Sequence, residues 1–364
     1  MKVVYANRSD WRFRPGGDSV QMERTAEAII RAFDCEIHFA ESPTDPAIAA
    51  CDLVHIFNTQ TLENSLEYAQ AAKTAGKPYL VSTIHWDLSH AMFVEFMQSR
   101  GWTPRASLKP GFDVAMGLAA RLSGRPRYYS PSRKRDMRNL LLDAACLLPN
   151  SDEELSLMEQ YVGCKLGRSV SVVNAIDPGQ FHSLPGETRE GCLVAARFLP
   201  VKNQLGVARA MQLIPEANLT MVGGCVDRGY LEAVQRESPA DRTTVIAEDQ
   251  DQAKLVGLYQ SHKVHVLASF RESPGLSSLE GLACGCRVVV AQEAYCPVSF
   301  YFKDLVGTSV FPCDPYDPKD IARAIRQALE STAPGEPVEA ALKKFTWAEA
   351  AKQTYSAYVD CLPK

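Results

Sequence analysis

The stretch Val264-His-Val-Leu-Ala-Ser-Phe-Arg-Glu-Ser-Pro-Gly-Leu-Ser-Ser-Leu-Glu-Gly-Leu-Ala-Cys-Gly-Cys-Arg-Val-Val-Val-Ala291 decides the fold. It opens on an apolar run, Val264–Leu267, and closes on another, Val288–Ala291, both short enough to be buried strands. Between them a loop with Pro274 and Gly275 leads into a short helix that Gly285 stops. Strand, loop, helix and strand in that order make a unit of a parallel sheet. Glu272 then stands in the loop at a strand's carboxyl end, and Glu280 stands in the first turn of the helix, with seven residues between them. Open α/β sheets bind ligands in the crevice beyond those strand ends, and two carboxylates there suit a ligand rich in hydroxyl groups.

The same rhythm extends outward in both directions. In the first half, strands are expected at Lys2–Tyr5, Cys35–Phe39, Leu53–Phe57, Tyr79–Ile84, Ala144–Leu148 and Val170–Val173, with helices at Ser19–Phe33, Leu62–Ala75 and Asp152–Tyr161. The second half restarts it with strands at Cys192–Ala196, Leu219–Val222, Thr244–Ala247, Val264–Leu267 and Val288–Ala291. Helices intervene at Gln204–Ile214, Tyr230–Glu237 and Gln252–Ser261. Continuous apolar strands alternating with helices predict a parallel sheet covered on both faces, and two such series predict two Rossmann-like domains. Turn formers cluster from Asp177-Pro-Gly179 to Pro185-Gly186, which places the break there. The expected domains are 1–180, 181–345 and a last helix in 346–364, where Trp347, Ala351, Tyr355 and Tyr358 form one stripe.

Residues 86–142 show no clear strand and read as an irregular insertion. A helix there would carry Met92, Phe93, Phe96 and Met97 on one side, followed by Arg121, Arg125, Arg127, Arg133, Lys134, Arg135 and Arg138. The plain reading is a packed insertion with solvated charges. The sharper one is a basic 121–138 region in peripheral contact with a membrane, or with a phosphate-bearing acceptor.

Bulk properties agree with a globular enzyme or binding protein. The chain has 364 residues, 46% hydrophobic and 23% charged, enough for two cores. A net charge of −4 argues against a nucleic-acid binder. No run reaches the ~18 apolar residues of a spanning helix, so the expectation is a cytoplasmic protein. The 11 cysteines sit mostly in apolar runs and read as reduced thiols, with no spacing suited to zinc.

Four charged groups converge on one predicted edge. Arg197 and Lys202, in Ala195-Ala-Arg-Phe-Leu-Pro-Val-Lys-Asn203, follow the first strand of the second half, as Glu272 follows another. Two cations beside the amides of a helix start at Leu276–Ser278 suit a diphosphate. Taken singly, each residue has a plainer explanation. Ser277-Ser-Leu-Glu280 also fits a capping box, and Glu272 could be an ordinary loop carboxylate. In the first half, Arg14-Pro-Gly-Gly17 precedes a helix and could bring backbone close to a ligand. His85, followed by Trp86 and Asp87, closes a strand on the functional edge of its sheet.

These residues together resemble the retaining GT-B glycosyltransferases of the group 1 (family 4) kind. The resemblance runs through Gly16-Gly17, Asp52-Leu-Val-His55, Thr83-Ile-His85, Asn150-Ser-Asp-Glu-Glu154, Asn174-Ala-Ile-Asp177 with Phe181, Ala196–Asn203, Glu272 to Glu280 and Phe345-Thr-Trp347. It implies two Rossmann-like domains facing each other across a cleft, the last helix crossing back onto the first. It also implies a nucleotide-diphosphate sugar, uridine- or guanosine-based, held mainly by the second domain, and a hydroxyl-bearing acceptor held mainly by the first.

By that resemblance Arg197 and Lys202 neutralise the diphosphate, Glu280 takes the ribose hydroxyls, Glu272 contacts the transferred sugar, and Gly275, Leu276 and Ser277 also bind the donor. His85 lies near the sugar, Gly17 offers its amide, and the base runs along Ile246 and Ala247. Transfer is a front-face substitution in which the departing phosphate helps deprotonate the acceptor, with no metal and no cofactor required. Ser273-Pro274, Ala175 and Ala291-Gln-Glu-Ala-Tyr-Cys-Pro-Val298 depart from the usual pattern and bear on donor identity. A nucleotide-sugar epimerase on the same scaffold and a non-catalytic sugar or nucleotide binder are the alternatives.

Overall fold

A computed structural model describes residues 1–13, 16–85, 87–123, 128–184, 186, 188–332 and 335–362. Arg14, Trp86, Arg125, Arg127 and Pro185, named above, lie outside them. The chain forms two units. The first comprises Met1–Trp86, Gly111–Ala175 and Phe345–Lys364, the second Asp87–Pro110 and Ile176–Lys344.

The first unit is built on β1 (Lys2–Ala6), β2 (Glu36–Phe39), β3 (Leu53–Phe57), β4 (Tyr79–Ser82) and β5 (Cys146–Leu148). All pair in parallel in the order β2-β1-β3-β4-β5. Because β3 is buried at every position, helices must cover both faces. On one face Tyr68, Ala69 and Ala72 of the helix Leu62–Thr74, with Met137, Leu140 and Leu141 of Pro131–Leu142, pack on Val4, Val54, Ile56 and Val81. The helices Gly17–Ala32 and Trp347–Cys361 pack on one another, with Tyr355 stacked on Phe33 at 4.1 Å.

The final helix is fixed by polar as well as apolar contacts. The Tyr358 hydroxyl bonds His55 Nδ1 at 2.6 Å and donates to Tyr5 at 2.8 Å, while His55 Nε2 bonds Ser82 at 2.8 Å. Burial drives the His55 pKa down to about 3, so the imidazole in this chain is neutral.

Val170–Val173 is not a strand; the segment only borders β5 through bonds from the Leu147, Val170 and Val172 amides. Residues 86–142 are not irregular but largely helical, at Ser89–Gln98, Lys109–Ser123 and Pro131–Leu142. The first of these belongs to the second unit, where it buries Phe93, Val94 and Met97 and lies on the turn Pro200–Lys202. Met92 and Phe96 are only half-buried.

The second unit carries β6 (Cys192–Ala195), β7 (Leu219–Val222), β8 (Thr243–Ile246), β9 (Val264–Leu267), β10 (Arg287–Ala291) and β11 (Val310–Cys313). The order is β11-β10-β9-β6-β7-β8, all parallel. The chain runs outward from β6 to β8, returns to β9 on the other side of β6, and continues outward to β11. This reversal between β6 and β9 is the switch point at which a doubly wound sheet opens a crevice. In the first unit the corresponding reversal lies between β1 and β3.

Candidate functional site

At the β6/β9 switch point, Arg197 and Lys202 follow β6 while Glu272 follows β9, and the two strands are hydrogen-bonded neighbours running the same way. All three residues therefore lie at one sheet edge. Asn203 shapes this edge. It adopts φ +56°, accepts from Gly206 N at 3.2 Å to cap the helix Gln204–Met211, and donates to the Ala268 and Pro315 carbonyls at 2.9 and 2.8 Å. Together with the bond from Phe270 N to Val201 O at 2.8 Å, it fixes the β6 loop against the loops after β9 and β11.

Glu272 is not an ordinary loop carboxylate, for it is 1% exposed. Lys202 Nζ donates to its Oε1 at 2.6 Å, the lysine side chain being 15% exposed. Its other oxygen, Oε2, is buried with no hydrogen-bond partner among the described residues. Four more buried polar atoms in this loop and the helix after it share that condition: Ser269 Oγ, Arg271 Nε and Nη2, and Ser278 Oγ. An unmade hydrogen bond on a buried polar group costs about 1–3 kcal/mol, and such groups normally find partners. A cluster of such atoms beside a switch point suits a polar ligand.

Gly275 and the helix start complete the loop. Gly275 has φ +90°, and a Cβ there would lie 2.6 Å from Leu267 Cδ2 and 3.0 Å from Glu272 Oε2. Only glycine allows this close approach. The helix Leu276–Ala283 begins directly after it, with Gly275 as the N-cap, whose carbonyl accepts from Ser278 N. The amides of Leu276 and Ser277 are in the first turn, where no intrahelical acceptor exists. This start overturns the capping-box reading of Ser277–Glu280, because Glu280 is the fifth helical residue and its side chain turns elsewhere. Glu280 accepts from the Tyr259 hydroxyl at 3.0 Å. Burial pushes its pKa up to about 7, against the lowering effect of that hydrogen bond.

Arg197 is exposed and has no ion-pair partner among the described residues. Its carbonyl accepts from Gln204 Nε2 at 2.8 Å, which fixes the backbone but leaves the guanidinium at the edge. Ile246 and Ala247 lie at the end of β8, the outermost strand. The Ile246 carbonyl is engaged by Gly223 N at 3.1 Å. Gly223 was not singled out from the sequence. It follows β7 with φ +150°, and a Cβ on it would lie 2.3 Å from the Ala196 carbonyl oxygen. The signal was present in Val222-Gly-Gly224, two glycines directly after a strand.

The remaining two expected residues belong to the first unit. His85 is 2% exposed and its amide donates to Glu154 Oε1 at 2.8 Å. The same oxygen accepts from Thr83 Oγ1, and Oε2 accepts from Asn150 N at 3.1 Å. Glu154 is thus a fully buried acceptor for three donors, and it sets the backbone path that carries His85. Ile84 beside it adopts φ +41°, which for a β-branched residue costs on the order of 1–3 kcal/mol.

Gly17 opens the helix Gly17–Ala32, and nothing lies within 4 Å of a Cβ built on it. Around the β1/β3 switch point the sequence reading missed three residues. Arg8 Nε donates to Asp18 Oδ2 at 2.9 Å, and Asn58 Nδ2 donates to the same oxygen at 3.1 Å. Burial pushes the Asp18 pKa up, but bonding to Arg8 and its charge outweigh this and hold it below the usual range.

Among the described residues no cluster of His, Cys, Asp and Glu is arranged to hold a metal ion.

Residues 180–345 match the family model for glycosyl transferases group 1. The matched segment spans β6 to β11, the core of the second unit. A D-inositol 3-phosphate glycosyltransferase 2 from Catenulispora acidiphila is 27% identical over 248 residues, covering 60% of this chain and 57% of that protein. The O-antigen chain mannosyltransferase B of Escherichia coli is 29% identical over 172 residues, covering 44% and 43%. The chain thus spans about half the length of these relatives. Among solved structures, a sucrose-phosphate synthase from Thermosynechococcus elongatus superposes with a TM-score of 0.70 at 17% identity, over 99% of this chain and 98% of that one. The fold class is accordingly GT-B, with two Rossmann-like units.

Proposed function

We propose that this chain is a retaining glycosyltransferase that moves a sugar from a nucleoside-diphosphate donor, uridine- or guanosine-based, to a hydroxyl acceptor. The observation that carries the reading is the loop after β9. Glu272 is held by Lys202, and five buried polar atoms in that loop and the helix after it lack partners among the described residues. A diphosphate-linked sugar supplies both kinds of partner, anionic oxygens for cations and amides, and hydroxyl groups for carboxylates.

In this reading Arg197, Lys202 and the amides of Leu276 and Ser277 take the diphosphate, whose charge grows as the sugar leaves. Preplaced donors of this kind favour the transition state over the bound substrate. Glu272 Oε2 accepts from a hydroxyl of the transferred sugar. Glu280 accepts from the ribose, whose hydroxyls replace water around a carboxylate that burial has left poorly solvated. Ile246 and Ala247 border the base. Asn58, Arg8, Asp18 and Gly17 make the first unit's edge polar, and the acceptor is assigned there with His85. The departing phosphate oxygen takes the acceptor's proton on the same face as the attack, which gives retention at the anomeric carbon.

The test is turnover with a panel of uridine and guanosine diphosphate hexoses, following release of the nucleoside diphosphate and the anomeric configuration of the product by NMR. Transfer with retention, suppressed by Glu272→Gln and Arg197→Ala in folded protein, is the expected result. Inversion overturns the mechanism. Donor conversion without any new linkage overturns transfer itself.

A further inference from the structure

The helix Lys109–Ser123, which lies in the first unit from Gly111 onward, carries an apolar row on its exposed side. Its packed side is set by Asp113, which accepts from the Tyr129 hydroxyl at 2.7 Å, by Phe112 against the Tyr129 ring, and by Ala120, its one fully buried residue. The opposite side carries Val114, Leu118 and Leu122, at successive four-residue steps and therefore in one row. They are 66%, 55% and 89% exposed. Ala115 and Ala119 widen the row and are exposed as well. An outward apolar row of this kind marks an interaction surface.

Charge identifies the occupant. Between residues 111 and 142 the sequence holds seven cations (Arg121, Arg125, Arg127, Arg133, Lys134, Arg135, Arg138) and two acids (Asp113, Asp136). That is a net +5 in a chain whose total is −4. Arg121 is exposed on the helix itself, beside Leu118 and Leu122, and Arg135 and Arg138 are exposed on the following helix, Pro131–Leu142. Not all of the cluster is available. Arg133 is committed to the Gln60 carbonyl at 2.9 Å, Lys134 lies 5.2 Å over the Tyr161 ring, and Arg135 pairs with Asp136 at 3.2 Å.

We propose that the Val114–Leu118–Leu122 row is an anchor for an anionic lipid bilayer, lying in the interface with its apolar side in the acyl region and the flanking arginines on lipid phosphates. An apolar helix face bordered by cations has this affinity because burial and electrostatic attraction add. The inference does not depend on the donor reading of the second unit.

The experiment is sedimentation of the full chain with vesicles of phosphatidylcholine alone or of phosphatidylcholine mixed with phosphatidylglycerol. The protein should pellet with the mixed vesicles, stay in solution with phosphatidylcholine, and be released by high salt. Leu118→Ser and Leu122→Ser should each weaken partitioning about tenfold. Arg121→Gln should weaken it about fivefold. Circular dichroism and melting of each variant establish that the fold is kept. Equal partitioning of the Leu118→Ser, Leu122→Ser double variant, or no pelleting with anionic vesicles, would overturn the proposal. So would a vesicle-independent dimer that the same double variant disperses, because the row would then belong to a second copy.

Discussion

Glu280→Gln should stabilise the second unit at pH 8 and leave its stability unchanged near pH 4. The carboxyl has a pKa of about 7 in the folded chain against an ordinary value of 4.5, with burial as the main cause. Between these values the folded state binds a proton that the unfolded state has released. Stability therefore falls as pH rises through that window. A difference of about 2.5 units corresponds to roughly 3 kcal/mol by linkage, an upper figure because the residue is partly exposed. Glutamine keeps an acceptor for the Tyr259 hydroxyl and carries no charge to desolvate. Its gain at pH 8 should be about 2–3 kcal/mol, or roughly 4–12 °C of melting temperature for a unit of this size. Urea denaturation at pH 4 and pH 8 measures it, with amide hydrogen exchange in Val264–Leu267 assigning the transition to this unit. The same substitution should weaken binding of a nucleoside diphosphate, since the proposed reading gives this carboxylate the ribose hydroxyls. An equal stability difference at both pH values, or a loss at pH 8, would refute the reasoning.

Lys202→Met should cost about 3–5 kcal/mol, because it leaves Glu272 buried without its cation; adding Glu272→Gln should recover much of that loss in a double-mutant cycle read by denaturation. Gly275→Ala should destabilise by about 1–3 kcal/mol through strain at φ +90° and displace Glu272, so turnover should fall more than stability. Tyr358→Phe removes a hydroxyl shared by His55 and Tyr5, and should cost the first unit about 1–3 kcal/mol in the same assay.

Much of the fold was legible because parallel strands buried on both faces are written as unbroken apolar runs. Leu53–Phe57, Leu219–Val222 and Val264–Leu267 coincide with β3, β7 and β9. β11 was missed because Val310-Phe-Pro-Cys313 is short and contains Pro312, which only an edge strand tolerates. Val170–Val173 has strand composition yet borders β5 without forming a regular ladder, which composition cannot reveal.

The second unit's charged residues were legible from their place after strands, since parallel order sends every strand's carboxyl end to one edge. Partnerships were not. That Lys202 would hold Glu272, that Glu154 would carry the His85 loop across 69 residues, or that Asn58 would reach Asp18 across 40, depends on closures that local patterns do not encode. The helix starts at Leu276, within the expected Leu276–Ser278, and only the capping-box alternative fails. Gly275 at φ +90° offers its carbonyl to Ser278 N and begins the helix earlier than the Ser277–Glu280 pattern suggests.

Titration calorimetry of uridine and guanosine diphosphate into the parent chain and into Arg197→Ala asks the central question directly. Arg197 is exposed, so its loss removes the proposed ligand contact without unsettling the core. One of the two nucleotides should bind the parent, and the variant should bind it about tenfold or more weakly, as befits a lost charge-assisted bond. Identical affinity in parent and variant, or no binding of either nucleotide to the parent, would contradict a diphosphate site at the β6/β9 switch point.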